Sequence, residues 1–175
     1  SGAGGMLGLG GYAAGEEDSN RNIFVDAVRS IAEIAKQEAP GLSRYVLLSS
    51  TGVTTVPDSK AVYPDALAWK ADGEQALRDS GVPYTICRYG VFYPSLAITL
   101  KPRKIDIRQG DSIGDKKRGI SVTNLTPVVL EAMGDSRCAY KTLFMQDREV
   151  EGEDNWKERL GSLADDSSTS TPPRV

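Results

Sequence analysis

The sequence predicts an α/β protein in which helices cover a parallel sheet. Segments with a helical period alternate with short apolar runs, and the connections between them are short. The composition agrees, because 39% of the 175 residues are hydrophobic, which is enough for a core. The chain contains no run of about 18 apolar residues, so no membrane span is expected.

The first half of the chain carries the clearest pattern. A helix is predicted over 19–38, before Pro40-Gly41, and a buried strand over 44–49. A second helix follows over 65–80 and a second buried strand over 84–88. The apolar stripe expected to pack the first helix consists of Ile23, Phe24, Ala27, Val28, Ile31, Ile34 and Ala35. The remaining predicted elements are a short strand at 105–107, a helix at 124–133 and a third strand, parallel to the first two, at 142–146.

The chain divides into three parts by composition. Residues 1–18 are glycine-rich and predicted to be a loop, although Gly2, Gly5 and Gly8 have the G-x-x-G-x-x-G spacing of a phosphate cradle. Residues 19–150 hold all the periodic segments and form the predicted domain. Residues 151–175 are expected to be an acidic, largely disordered tail.

The residue counts exclude several kinds of chemistry. The chain has no histidine, which rules out Ser-His-Asp and Cys-His catalysis and histidine-ligated zinc. Its two cysteines cannot build a disulfide framework, and a reducing compartment fits them; no metal site is predicted. The net charge of −3 argues against nucleic-acid binding. A basic segment at 101–118, with seven basic and three acidic residues, is either a solvated face or a binding surface.

Two candidate ligand-binding positions follow from the predicted sheet. Ser50 and Thr51 come at the carboxyl end of the first strand, where open α/β sheets bind ligands; alternatively they are a hydroxyl-rich turn. Lys70 lies on the following helix, and a lone helical lysine is usually solvated.

Three stretches, at 44–52, 69–77 and 80–90, together carry a family resemblance. They read RYVLLSSTG, WKADGEQAL and SGVPYTICRYG, and in this order and spacing they resemble the atypical, NmrA-like branch of the short-chain dehydrogenase/reductase superfamily. The segments at 22–27, 120–125 and 141–144 are similar to neighbouring elements of that branch, so the likeness spans about residues 18–146.

The resemblance implies the carboxyl-terminal part of a Rossmann-like, doubly wound parallel sheet that binds NAD(P), with NADP favoured. It implies that Ser50 and Thr51 line the nicotinamide side and that Lys70 bonds the nicotinamide ribose. It also implies that the backbone of Tyr89, Gly90 and Val91 borders the cofactor.

The sequence departs from this pattern in three ways. The tyrosine of the family's Tyr-x-x-x-Lys pair is replaced by Ala66; Tyr63 is seven residues before Lys70, and Tyr89 replaces a proline. No catalytic residue is therefore assigned. The two βαβ units and the strand that precede the first helix in the family, more than about 60 residues at ~30 per unit, are expected to be missing. The strand at 44–49 then has an open edge, which upstream residues or a partner must cover.

Two functions fit these observations. The first is an atypical short-chain dehydrogenase/reductase-like NAD(P)-binding protein without tyrosine-dependent dehydrogenase chemistry, its cofactor binding depending on the missing half. The alternative is a non-enzymatic scaffold, assembly factor or accessory subunit of a larger complex. A soluble protein of the plastid stroma or another organelle matrix is expected in preference to a cytoplasmic one.

Overall fold

The fold alternates helices and strands over the described residues, which are 21–54, 64–93, 104–111, 119–148 and 154–166 of the computed structural model. The helices are a π-helical turn at Asn22–Asp26 continued by α1 at Ala27–Glu38, α2 at Pro64–Ser80, α3 at Val122–Gly134, a 3-10 turn at Ser136–Cys138, and α4 at Trp156–Ser162. The strands are β1 at Tyr45–Ser50, β2 at Tyr84–Tyr89, β3 at Phe92–Tyr93, β4 at Lys104–Gln109, β5 at Ile120–Ser121 and β6 at Lys141–Arg148.

The main sheet has the strand order β1-β2-β6-β4. β1 pairs parallel with β2, and β2 pairs parallel with β6, which confirms the parallel arrangement predicted for the three apolar runs. β4 pairs antiparallel with β6 at the far edge, an orientation that its sequence did not indicate. β3 and β5 form a separate two-stranded parallel pair.

Helices pack on both faces of the sheet, as expected for a doubly wound fold. On one face, α1 and α2 enclose a core that includes Val28, Leu77 and Ile86. On the other face, α3 packs against β1 and β2, and α4 packs against β4. The π-helical turn lies so close to α2 that a Cβ on Gly73 would stand 1.9 Å from the Phe24 carbonyl oxygen, so only glycine allows this approach.

The predicted packing face of the first helix is partly wrong. The buried residues are Val25, Val28 and Ala32, whereas Ile23 is 60% and Ile31 is 53% exposed. Ile34 is also exposed. The apolar stripe of the first helix is wider than the surface that α2 and the sheet can cover, so part of it stays exposed. The π-helical turn places Val25 on the buried side of the helix.

The expectation of disorder across 151–175 is wrong for the segment that forms α4. Trp156 and Leu160 are buried in the same core as β4 and α3, since they lie on one side of a helix otherwise rich in charge. Asp166 continues this ordered segment and bonds the start of β6. Residues 167–175 and the glycine-rich 1–18 lie outside the described residues.

β1 stands at one edge of the sheet. Within the described residues it pairs with β2 alone, and Leu48 on it is 44% exposed. None of the described helices has the length and apolar character needed to cross a membrane.

Candidate functional site

The carboxyl ends of β1 and β2 bring the first group of predicted site residues together. Ser50 and Tyr89 are register partners, and the Thr51 N–H donates to the Tyr89 carbonyl oxygen at 2.9 Å. The ammonium of Lys70, in the second turn of α2, donates to the Ser50 hydroxyl oxygen at 2.5 Å. Four of the six predicted cofactor-binding residues therefore form one cluster.

Lys70 is held in a partly desolvated position. Its Nζ lies 5.1 Å from the centre of the Phe24 ring, which the π-helical turn presents to α2. Burial lowers the pKa of the Lys70 ammonium, and the negative charge of Glu74 one turn later opposes that effect. A lysine in this environment is not the freely solvated side chain that helical lysines usually are.

Gly90 and Val91 follow β2 and lead to the small β3–β5 pair. The Val91 carbonyl oxygen accepts from the Ile120 N–H at 2.9 Å, and its side chain is 59% exposed. A Cβ on Gly119 would stand 1.8 Å from that carbonyl oxygen, so the two backbones meet closely there. Burial raises the pKa of the Tyr89 phenol, which keeps it protonated.

The position four residues before Lys70 offers no proton. Ala66 is buried on α2 at 8% exposure, and its methyl group stands where the family's tyrosine would be. Tyr63 lies outside the described residues.

A buried ion pair lies beside this cluster. Arg88, on β2, donates from Nε to Glu74 Oε1 at 3.0 Å and from Nη2 to Glu74 Oε2 at 2.5 Å. Both side chains are at most 3% exposed. Burial alone would lower the pKa of the Arg88 guanidinium, but its hydrogen bonds to Glu74 and the negative charges of Glu74 and Asp111 raise it. The Arg88 guanidinium therefore keeps its charge although it is buried.

Asp111 binds the turn that follows β1. Its carboxylate accepts from the Gly52 N–H at 2.9 Å, the Thr54 N–H at 2.8 Å and the Thr54 hydroxyl at 3.0 Å. A longer bond of 3.4 Å comes from the Thr51 hydroxyl. Asp111 also lies 3.6 Å from Arg88 Nη1, so it extends the ion pair.

A second carboxylate, Asp166, closes the other end of the same ion network. It accepts from the Thr142 N–H at 2.9 Å, the Thr142 hydroxyl at 2.6 Å and the Tyr84 hydroxyl at 3.0 Å. Arg78 links it to α2, since its guanidinium lies 3.4 Å from Asp166 and 3.2 Å from Glu74.

The chemistry of these donors fits the ribose end of a nicotinamide cofactor. An ammonium has three N–H donors, and Lys70 uses one on Ser50, whose hydroxyl still carries a proton to donate. Ribose hydroxyls both donate and accept, so Lys70, Ser50 and the Thr51 side of the turn can match them. Among the described residues, no group of Cys, Asp or Glu has the arrangement of a metal site.

Sequence reasoning missed Asp111 and the joint role of Glu74 and Arg88. One signal was available, because Lys70, Glu74 and Arg78 follow one another at intervals of four residues on one helix face. The residues of the turn that Asp111 binds are 57 or more positions away in sequence, and no local pattern indicates such contacts.

Comparison with known proteins identifies the chain's relatives. A family described as NAD(P)H-binding matches residues 10–135. An uncharacterized chloroplastic protein of Arabidopsis thaliana is 38% identical over 68 residues, which are 38% of this chain and 21% of that protein. The matched stretch thus spans about a fifth of the plant relative's length.

Solved structures share the fold. A Bacillus halodurans protein assigned as an NAD-dependent epimerase/dehydratase superposes with a TM-score of 0.68 at 20% identity, covering 90% of this chain and 67% of that one. A Streptococcus pneumoniae protein assigned as an NADH-flavin reductase gives 0.58 at 12% identity, covering 81% and 70%. These likenesses confirm the Rossmann-type fold, and the family match covers most of the chain. The chain belongs to the NAD(P)H-binding family, as an NAD(P)-binding Rossmann protein of the atypical short-chain dehydrogenase/reductase kind.

Proposed function

We propose that this chain supplies the nicotinamide side of an NAD(P) site, with NADP as the preferred cofactor. Lys70 binds the nicotinamide ribose, Ser50 and Thr51 line the same side, and the backbone of 89–91 borders the ring. The observation that carries the proposal is the 2.5 Å contact of Lys70 with Ser50 at the carboxyl edge of the sheet. The preference for NADP rests on the family resemblance.

We propose further that the protein lacks tyrosine-dependent dehydrogenase chemistry. A bound nicotinamide supplies or accepts a hydride, and alcohol–ketone redox also needs a group that exchanges a proton with the substrate oxygen. Ala66 carries no such proton, and the chain has no histidine to replace a tyrosine. Any hydride transfer would then use another acid or an acceptor that needs none.

Cofactor titration of the intact protein tests the binding proposal. NADPH and NADH binding are followed by the fluorescence of the reduced nicotinamide, and tighter binding of NADPH is expected. Lys70→Met should weaken NADPH binding by roughly tenfold or more, because a charged hydrogen bond is lost. Lys157→Met is the matched control: its ammonium also faces a ring, 5.4 Å from the centre of Trp156, but belongs to α4. Equal effects of both variants would contradict the proposal.

Turnover assays test the proposal about chemistry. With alcohols, ketones and NADP(H), the intact protein should show little or no turnover. Robust turnover that disappears in Lys70→Ala would contradict this expectation. Loss of that turnover in Tyr63→Phe would identify Tyr63 as the proton donor.

A second candidate function is that of a subunit or assembly factor in a larger complex, which the exposed apolar surface favours. Ile23, Ile31 and Ile34 at the first helix are each more than half exposed, and Leu48 on the edge strand β1 is 44% exposed. The basic 101–118 segment gives little support within the described residues, since Arg108 pairs with Asp106 at 2.8 Å. The chloroplastic relative supports a plastid location for such a complex.

Hydrogen exchange of β1 tests whether another strand or subunit covers this edge. Outward-facing amides of β1 should be protected when the covering partner is bound and should exchange fast in the isolated chain. The amides of β2, which is flanked on both sides, are the internal control. A monomeric 1–175 polypeptide that melts cooperatively and protects β1 would contradict this candidate.

A further inference from the structure

We infer that Asp111 is a positioning residue for the nicotinamide side of the cofactor site, because it fixes the turn that carries Thr51. The inference rests on the proposed function. Of the residues proposed to bind the cofactor, Asp111 contacts Thr51 alone among the described contacts. The turn concerned is residues 51–54, between β1 and the loop before α2.

The contacts of Asp111 define the shape of this turn. Its two oxygens accept from two backbone N–H groups, those of Gly52 and Thr54, as well as from the hydroxyls of Thr51 and Thr54. Charge-assisted bonds of this kind are stronger than bonds between neutral groups. Gly52 has φ +85°, a conformation that side chains other than glycine rarely adopt, so the turn needs both a glycine and an external acceptor.

Asp111 reaches the turn from a strand that does not touch β1. β4 lies three places away in the sheet, and Gly110, with φ +69°, turns the chain after it. The Gly110 N–H donates to the Thr142 carbonyl oxygen at 2.9 Å, which holds the base of this connection. The position of the turn thus depends on the antiparallel strand at the opposite edge.

The buried ion pair fixes Asp111 from its other side. Arg88 Nη1 is 3.6 Å from Asp111 Oδ2 and donates to the Thr54 hydroxyl at 3.3 Å. Glu74, which holds Arg88 through two bonds, lies one helical turn after Lys70. The same network therefore borders both Thr51 and Lys70, the two sides of the proposed ribose contact.

Binding of two probes to the intact protein tests this role. NADP⁺ contains the nicotinamide end, whereas adenosine 2′,5′-bisphosphate contains only the adenine end. Asp111→Asn should weaken NADP⁺ binding by about tenfold and leave bisphosphate binding within about twofold of the wild type. A variant that merely lost structure would weaken both probes alike.

Asp166→Asn is the matched control, because Asp166 also accepts four hydrogen bonds, including one from a backbone N–H. It should lower the melting temperature as Asp111→Asn does, yet bind both probes as the wild type does. The inference is overturned if Asp111→Asn binds NADP⁺ normally, if both probes weaken equally in it, or if Asp166→Asn weakens NADP⁺ as much. A wild-type protein that does not bind NADP⁺ overturns the proposed function itself, and this inference with it.

Discussion

Asp111 and Asp166 are two carboxylates with the same local chemistry in different parts of the molecule. Each accepts at least four hydrogen bonds from the described residues, and each pairs with an arginine that also binds Glu74. Asp111 holds the turn after β1, beside the predicted cofactor residues. Asp166 holds the start of β6 and the Tyr84 hydroxyl, at the amino ends of the strands.

The comparison separates two uses of a buried carboxylate. Asp166 stabilises the fold, whereas Asp111 also holds a turn that belongs to the proposed cofactor site. The ions alternate in sign along one path: Asp111, Arg88, Glu74, Arg78 and Asp166. Because of this alternation, each of the five ions has at least one neighbour of opposite charge within 3.6 Å. Ligands bind at the carboxyl ends of parallel strands, so only the Asp111 end of this path borders the proposed site.

Removing Glu74, the central ion of the path, should cause the largest loss of stability among these predictions. Glu74→Ala leaves Arg88 and Arg78 without their shared partner, and Arg88 is 3% exposed. The free energy of unfolding should fall by about 3–5 kcal/mol, because the buried Arg88 loses both bonds to Glu74 and, among the described residues, keeps only Asp111, at 3.6 Å, as an ionic partner. Urea denaturation of the intact protein measures this loss.

Glu33→Ala is its control, since Glu33 is exposed on α1, and it should change stability by no more than about 0.5 kcal/mol. A Glu74→Ala loss as small as this would mean that the five ions do not act as one network.

Much of the fold was predictable because it follows from local patterns. The apolar runs at β1, β2 and β6, and the helical period of α2, identify a parallel sheet without any knowledge of contacts. α4 was not predictable in this way, since only Trp156 and Leu160 anchor it among charged residues. A strand was predicted at 105–107, but its antiparallel direction could not be, because direction depends on pairing with a strand distant in sequence.

The candidate site likewise contains residues that a local sequence pattern indicates and residues that only distant contacts reveal. Ser50 and Thr51 could be located from their place after a strand, and Lys70 from its spacing in a family pattern. Asp111 could not be identified from the sequence, because an aspartate after a glycine is typical of any turn. Its partners and those of Asp166 are identified only when distant segments meet in three dimensions.

Lys70, near the Asp111 end of the network, and Tyr84, at the Asp166 end, should change stability in opposite directions at alkaline pH. Burial lowers the pKa of Lys70 below its usual 10.5, so the folded protein releases this proton before the unfolded chain does. Lys70 therefore adds stability as pH rises between its lowered pKa and 10.5. Over the same window NADPH binding should weaken, because the ammonium loses its charge.

Paired titrations of stability and NADPH affinity against pH measure these opposing trends. In Lys70→Met both pH-dependent components should disappear, while Lys157→Met should retain them. An NADPH affinity that stays constant through this window in the wild type would contradict ribose binding by a charged Lys70.

Replacement of Tyr84, which lies at the Asp166 end of the network, should have the smallest effect on stability. Burial, then the charge of and hydrogen bond to Asp166, raise the pKa of its phenol above the usual 10.0. A group whose pKa is raised on folding contributes stability that is present below its unfolded pKa and is lost as pH rises beyond it. Tyr84→Phe removes one hydrogen bond and should cost about 0.5–1.5 kcal/mol at neutral pH.

Above pH 10 the gap between Tyr84→Phe and the wild type should narrow, because only the wild type loses the Tyr84 contribution there. Tyr45→Phe is the control: burial alone raises the pKa of Tyr45, so its removal should cost less at neutral pH. NADPH affinity should stay unchanged in Tyr84→Phe, since the Asp166 end does not border the proposed site. A drop in NADPH affinity there as large as in Asp111→Asn would mean that the two carboxylates serve one function, and that the distinction between the ends of the network is wrong.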